Sequence, residues 1–304
     1  MEWLESLVLG MVQGFTEFLP VSSDGHLLLT QSLFGWLTGV KHTGKENLFF
    51  DVILHLGTTA AILIYNREVI AKGLRACLLE LILMLSRIYN REVIAKELRG
   101  LLGADEAPGF RRSEIVHVGL LAIIATSPLI PLALFFKKMI EKTFEGITVA
   151  GFGFLLTAAI LLATGWLRRR DGTKGPVETT LLDALLIGLA QMLAPLPGVS
   201  RSGLTIAAAL ALGLSRTWAV GFSLLIAVPA ILGAAVWEIK DINPATLSSD
   251  RVTQAVAATI LAGVVGYFAI QWLFKVVRAG HIWYFSVYLT LLAIVVLVTA
   301  YSKA

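Results

Sequence analysis

The chain has 304 residues, 57% of them hydrophobic and only 15% charged, with a formal net charge of +4. A soluble domain of this size carries roughly a quarter charged residues, so this composition and a mean hydropathy of +0.79 exclude a soluble protein and place the chain in a membrane. The single cysteine, Cys77, excludes an intrachain disulfide framework, and the basic residues form no stripe interleaved with aromatics, so no nucleic-acid partner is expected.

The opening residues carry no Lys or Arg before Lys41, so no signal peptide is expected and the amino end is expected to be kept. The first informative stretch, Gly10 to Thr30 (GMVQGFTEFLPVSSDGHLLLT), sets polar side chains in an apolar run. Gln13 and Glu17 are four apart and share a helix face, about 5–6 Å apart at Cβ, and Pro20 stops that helix. Ser22, Ser23 and Asp24 are N-cap residue types, Gly25 permits a tight backbone, and His26 opens a second apolar run ending near Gly35. The pattern predicts helix, break, helix, with neither arm reaching the ~20 residues of a spanning helix. The plainer alternative leaves Glu17 at the membrane surface and the serines as caps. An acid, a histidine and two serines within ten positions of apolar chain are costly to bury without a use, which favours a site.

Gly35 to Asn47 reads as a polar loop, and Phe49–Tyr65 as the first full span. Asp51 and His55 share one face of that span; each is either structural, as a cap and a bundle contact, or part of a site. From Arg67 to Arg112 the chain is charged and holds an internal repeat, IYNREVIAKGLR at 64–75 against IYNREVIAKELR at 88–99. The apolar run Cys77–Ser86 between the copies is too short to span, and predicts an amphipathic helical hairpin beside the membrane. Two spans follow, Ile115–Phe136 and Ile147–Leu167, then the basic tract RRRDGTKG at 168–175. Leu181–Leu214 repeats the opening pattern, and spans are expected at Trp218–Trp237, Val252–Val276 and Ile282–Tyr301.

The second half echoes the first. Gly10, Gln13, Val21, Ser22 and Gly25 recur 178 residues later as Gly188, Gln191, Val199, Ser200 and Gly203. Each half then holds one broken helix and three spans, and an odd number of crossings inverts the second copy. The expectation is an all-α polytopic membrane protein of inverted-topology repeats, with about six transmembrane helices and two re-entrant broken helix pairs. It forms one integral membrane domain over 1–304. The first repeat is 1–167, with a charged cytoplasmic insert at about 67–114, and the second is 176–304. Basic residues concentrate in 67–112 and 168–174, which puts those loops in the cytoplasm and both termini outside.

The second break, PLPGVSRSGLT at 195–205, combines two prolines and a glycine with the hydroxyls of Ser200, Ser202 and Thr205. Arg201 adds a planar fork of donors suited to phosphate oxygens, in preference to the bland alternative of a side chain snorkelling from a loop. Glu17, with Gln13, is an oxygen site for a hard divalent cation, Mg²⁺ or Ca²⁺. Ser23 and His26 are candidates for nucleophile and proton shuttle, and Ser22, Ser200, Arg201, Ser202 and Thr205 for binding phosphate. These are the parts of phosphoryl transfer. A soluble ester would not need a site in a bilayer, so the expected partner is a lipid phosphate or diphosphate.

QGFTEFLPVSSDGH at 13–26 and PGVSRSGLT at 197–205 resemble the two signature motifs of the undecaprenyl-diphosphate phosphatase (bacitracin-resistance) family, and FFDVILHLGTTAAIL at 49–63 resembles the segment after the first motif. The resemblance covers nearly the whole chain. It implies hydrolysis of undecaprenyl diphosphate to undecaprenyl phosphate and inorganic phosphate, recycling the lipid carrier for cell-wall polymers, with a divalent metal, a site facing outward and catalytic residues Glu17, Ser23, His26 and Arg201. Position 13 is Gln where some members have Glu, and position 204 is Leu where a hydroxyl residue is frequent. Ser23 and His26, three apart across the break, can approach each other at the start of the second half-helix, so Ser23 is expected to attack phosphorus while His26 takes its proton, against the rivals of attack by His26 or by a metal-bound water. A transporter or flippase of polyprenyl phosphates is the alternative function, and a homodimer is an open alternative in assembly.

Overall fold

The computed structural model of the chain describes residues 3–39, 44–71, 75, 112–136, 146–167, 172–242 and 248–302. The second copy of the internal repeat, the Cys77–Ser86 run and residues 168–171 of the basic tract lie outside them. The first half contributes α1 (Trp3–Thr16), α2 (Ser23–Thr38), α3 (Gly44–Tyr65), α4 (Arg112–Thr126) and α5 (Ile147–Leu167). Beyond α4 the chain continues through Leu129–Pro131 into a π-helical turn at Leu132–Phe136. The second half contributes α6 (Leu181–Gln191), α7 (Arg201–Ala211), α8 (Arg216–Glu238), α9 (Ser249–Arg278) and α10 (Tyr284–Tyr301).

The chain is an all-α polytopic membrane protein. Glu114–Phe135, Ile147–Gly165, Arg216–Glu238, Ser249–Arg278 and Tyr284–Tyr301 are long and apolar enough to cross a membrane, and Phe49–Tyr65 is a shorter apolar helix. These coincide with the six runs expected from the sequence. The four arms of the two broken pairs hold 14, 16, 11 and 11 residues, all short of a span as anticipated.

The ends of the short arms are set locally. Ser22 caps α2 and Ser200 caps α7, each accepting the backbone N–H three residues on, from Gly25 and Gly203. Helix α6 opens with a reciprocal capping box between Thr180 and Asp183. Lys174 donates to both Asp183 oxygens, at 3.0 and 2.9 Å. The Lys174 backbone also bonds Gly213 and Ser215, fastening the entrance of α6 to the α7–α8 turn.

Packing between helices follows the sequence echo. Helix α1 packs on α9 and α6 on α4; α3 packs on α9 and α8 on α4; α5 pairs with α10, and α3 with α8. Exchanging the two halves maps the first four contacts onto one another in pairs and the last two onto themselves. Glycine makes the first pair possible. A methyl at Gly10 would lie 2.5 Å from the Ala258 carbonyl oxygen of α9, and one at the matching Gly188 would collide with the Ala125 carbonyl of α4. Lipid gives no hydrophobic gain for bringing helices together, so close backbone approach through small residues supplies the dispersion contacts instead.

The first break and the Gly198–Ser200 end of the second lie in the protein interior. Phe18, Leu19 and Val21 of the first join Phe154 of α5 and Ile206 of α7 in one buried cluster. Around it the lipid-facing sides stay apolar, as with Val287, Leu291, Ile294 and Val298 of α10, which are exposed.

Candidate active site

The first break begins one residue past α1, where the Glu17 N–H still bonds the Gln13 carbonyl at 3.0 Å and continues the helical turn. The chain then turns through Phe18–Val21, and Ser22 takes φ 71°, ψ 102°, the one positive φ at a non-glycine among the described residues. That conformation costs on the order of 1–3 kcal/mol, and local bonds hold it. The Ser22 hydroxyl accepts from Gly25, and its carbonyl accepts from both the backbone N–H of His26, at 3.3 Å, and the ring Nδ1–H, at 2.8 Å.

The second break is held from outside. Thr157 of α5 donates its hydroxyl to the Gly198 carbonyl at 3.2 Å and accepts the Ser200 N–H at 3.0 Å. Gly198 has φ +81°, and a methyl there would collide with Ala150 of the same helix. Thr157→Val keeps the volume but strands a buried N–H and a buried C=O, each costing about 1–3 kcal/mol. We expect a lowered thermal midpoint for purified Thr157→Val protein, with a loss of activity that grows as the midpoint is approached.

The two breaks meet, and Glu17 is where they meet. Its Oε1 accepts from Arg201 Nη2 at 2.8 Å. Its Oε2 accepts from Gln13 Nε2 at 2.9 Å and from the Ser23 hydroxyl at 2.8 Å. His55 Nε2 of α3 stands 3.5 Å from the same Oε2 and 3.7 Å from Asp24 Oδ1. The Glu17 side chain is only 4% exposed, so the ion pair with Arg201 is a buried one joining residues 184 positions apart. The Ser202 hydroxyl adds a second tie between the breaks, donating to the Leu19 carbonyl at 3.0 Å.

Gln13, Glu17, Ser23 and Arg201 are thus gathered as the sequence suggests. The structure differs in the partner of Ser23: its single O–H goes to Glu17, whereas His26 faces away from it. His26 Nδ1 is taken by the Ser22 carbonyl, and Nε2 lies 2.7 Å from the Tyr288 hydroxyl of α10. The hydroxyls of the second break make scaffold hydrogen bonds. Ser200 caps α7 and bonds Ser202, and Thr205 bonds the Arg201 carbonyl and Ser223. All three are buried.

His55, left open by the sequence together with Asp51, is brought to the site, oriented by its Nδ1–H on the Asp51 carbonyl at 2.8 Å. Asp51 itself accepts from Gln31 of α2 at 3.3 Å, tying the two helices together. Thr157 and Tyr288 escape sequence reasoning, since each sits within an uninterrupted apolar helix.

Among the described residues no group of three or more His, Cys, Asp or Glu is placed to hold a metal ion. The hard oxygens present are the Glu17 carboxylate and Gln13 Oε1, which is buried without a hydrogen-bond partner. Two such donors are a partial shell. They fit an ion of the Mg²⁺ kind, which takes one or two protein ligands and draws its other oxygens from substrate phosphates and water.

The chain matches the family described as Bacitracin resistance protein BacA over residues 6–295. It is 36% identical over 303 residues to an undecaprenyl-diphosphatase of Carboxydothermus hydrogenoformans, covering 98% of this chain and 97% of that one. It is 35% identical over 302 residues to an undecaprenyl-diphosphatase of Desulfatibacillum aliphaticivorans, covering 98% and 99%. Over 278 residues it is 35% identical to an undecaprenyl-diphosphatase of a Nocardioides species, covering 91% and 88%.

Proposed function

The chain belongs to the BacA family of bacitracin resistance proteins, and from that membership and the geometry of its site we propose that it hydrolyses undecaprenyl diphosphate to undecaprenyl phosphate and inorganic phosphate. The observation that carries the reading is the single carboxylate of Glu17 bonded at once by the Ser23 hydroxyl from one break and the Arg201 guanidinium from the other. A nucleophile, a proton acceptor and a phosphate-binding cation are then within one hydrogen bond of each other, in a membrane interior where a lipid diphosphate can reach them.

Ser23 attacks the terminal phosphorus as its proton passes to Glu17 Oε2, and undecaprenyl phosphate leaves. Arg201 offers the guanidinium donors not spent on Glu17 to the equatorial oxygens of the transferring group, assisted by the positive ends of α2 and α7, both of which begin at the breaks. Phosphoserine is then cleaved by water. Ser23 recovers its proton from Glu17 as its bond to phosphorus breaks, while His26 Nε2, once the Tyr288 hydroxyl turns off it, takes the water proton and gives it up to solvent as orthophosphate departs, which closes the cycle. A divalent ion held by Glu17 and Gln13 would offset the charge of the diphosphate.

The basic loops support an outward-facing site with both termini outside, where spent lipid carrier is produced during cell-wall synthesis. In the purified protein in detergent no gradient exists, so release of inorganic phosphate from undecaprenyl diphosphate is the deciding measurement. Binding of the lipid without any phosphate release would leave this reading untenable and favour transport.

A further inference from the structure

Tyr288 lies on α10, between lipid-exposed Val287 and the buried Leu289, and is itself 47% exposed. A phenylalanine would suit that position in lipid equally well, because the ring already has apolar surroundings. The hydroxyl is nevertheless spent inside the protein, on His26 Nε2 at 2.7 Å. The direction of this bond is fixed by the other ring nitrogen. A carbonyl can only accept, so Nδ1 carries a proton toward Ser22, and in the neutral ring Nε2 is left as the acceptor of the phenol O–H.

The ring is held on two further sides. Tyr288 stacks on it at 5.8 Å with an interplanar angle of 17°, and Phe154 meets it edge-on at 5.3 Å. Phe154 is fully buried and cannot yield, and a methyl at Gly25 would fall 2.6 Å from its ring, so the turn before His26 is wedged against it. The Ser22 carbonyl sets the tautomer, and Tyr288 supplies a polar contact to the acceptor nitrogen of the imidazole from outside the break. It also comes from the opposite half of the chain, 262 positions away.

We propose that Tyr288 is a positioning residue of the active site: it holds His26 neutral, with Nε2 as the proton-accepting nitrogen, and so joins α10 of the second half to the catalytic break of the first. The kinetic part of its test rests on the phosphatase reading above, and the spectroscopic part does not. In protein labelled with ¹⁵N in its histidine rings, with the His26 signals assigned by loss in His26→Gln, Nε2 should resonate as an unprotonated acceptor, and Tyr288→Phe should shift it. The same substitution should lower kcat on the order of tenfold, the worth of one such hydrogen bond, while KM stays within about twofold. Added to His26→Gln it should change the residual kcat less than about twofold.

A His26 spectrum showing the proton on Nε2, or one that Tyr288→Phe does not move, overturns the proposal. So do equal fold-losses in the two backgrounds, which would make Tyr288 a packing residue only. If unaltered protein releases no phosphate, the phosphatase reading fails, and the ¹⁵N comparison alone then decides the role of Tyr288.

Discussion

Ser23→Ala is expected to lower kcat for undecaprenyl diphosphate on the order of 10³-fold or more, the effect of deleting a covalent nucleophile. The protein should still fold, because the Ser23 hydroxyl makes one bond, to Glu17, and the break is capped by Ser22. Acid-quenched wild-type protein should carry phosphate on Ser23 and none on histidine. Attack by His26 predicts the reverse, an acid-labile phosphohistidine and appreciable turnover in Ser23→Ala. The geometry disfavours that route, since it is the Ser23 hydroxyl, and not a His26 nitrogen, that is bonded to the carboxylate paired with Arg201. If Ser23→Ala and His26→Ala both retain substantial activity, water is the nucleophile and covalent catalysis is abandoned.

The architecture was legible because the bilayer imposes length. Runs of about twenty apolar residues declare themselves, and so do two runs interrupted by Pro20 and by Pro195, Pro197 and Gly198. Glu17 and Arg201 were legible for the same reason, as charges placed where charge is expensive. What was not legible was which polar group faces which. Spacing of three suggested that Ser23 would pair with His26 across the first turn of α2. Ser23 is the first residue of that helix, however, and its hydroxyl reaches back over the break to Glu17, which the last turn of α1 presents. Tyr288 and Thr157 leave no mark in the sequence, because a hydroxyl on an apolar helix looks the same whether it faces lipid or a site. His55 belongs to the same class. Its proximity to Glu17 arises from the packing of α3 beside α1, which spacing along one segment does not encode.

The Glu17–Arg201 pair lets stability and catalysis be separated. Arg201→Lys preserves charge but loses the fork, and a loss of about tenfold or more in kcat/KM is expected, equivalent to ~1.4 kcal/mol or above. Arg201→Leu is harsher, since it leaves a carboxylate that is only 4% exposed without its cation, at a cost of about 3–5 kcal/mol. Melting of that variant should fall accordingly. Adding Glu17→Gln removes the stranded charge, keeps an oxygen for the Ser23 hydroxyl to donate to, and should return most of the lost melting temperature. Activity should not return. The double variant has neither proton acceptor nor phosphate cation, and its kcat should remain at least about 10²-fold down, as after loss of a preorganised donor. Recovery of both stability and turnover would mean that the pair is a structural clasp and the chemistry lies elsewhere. Loss of both in the double variant would mean that the breaks need the ion pair itself to meet. Stability without turnover is the outcome the geometry requires, because Glu17 bonds Ser23 on one oxygen and Arg201 on the other.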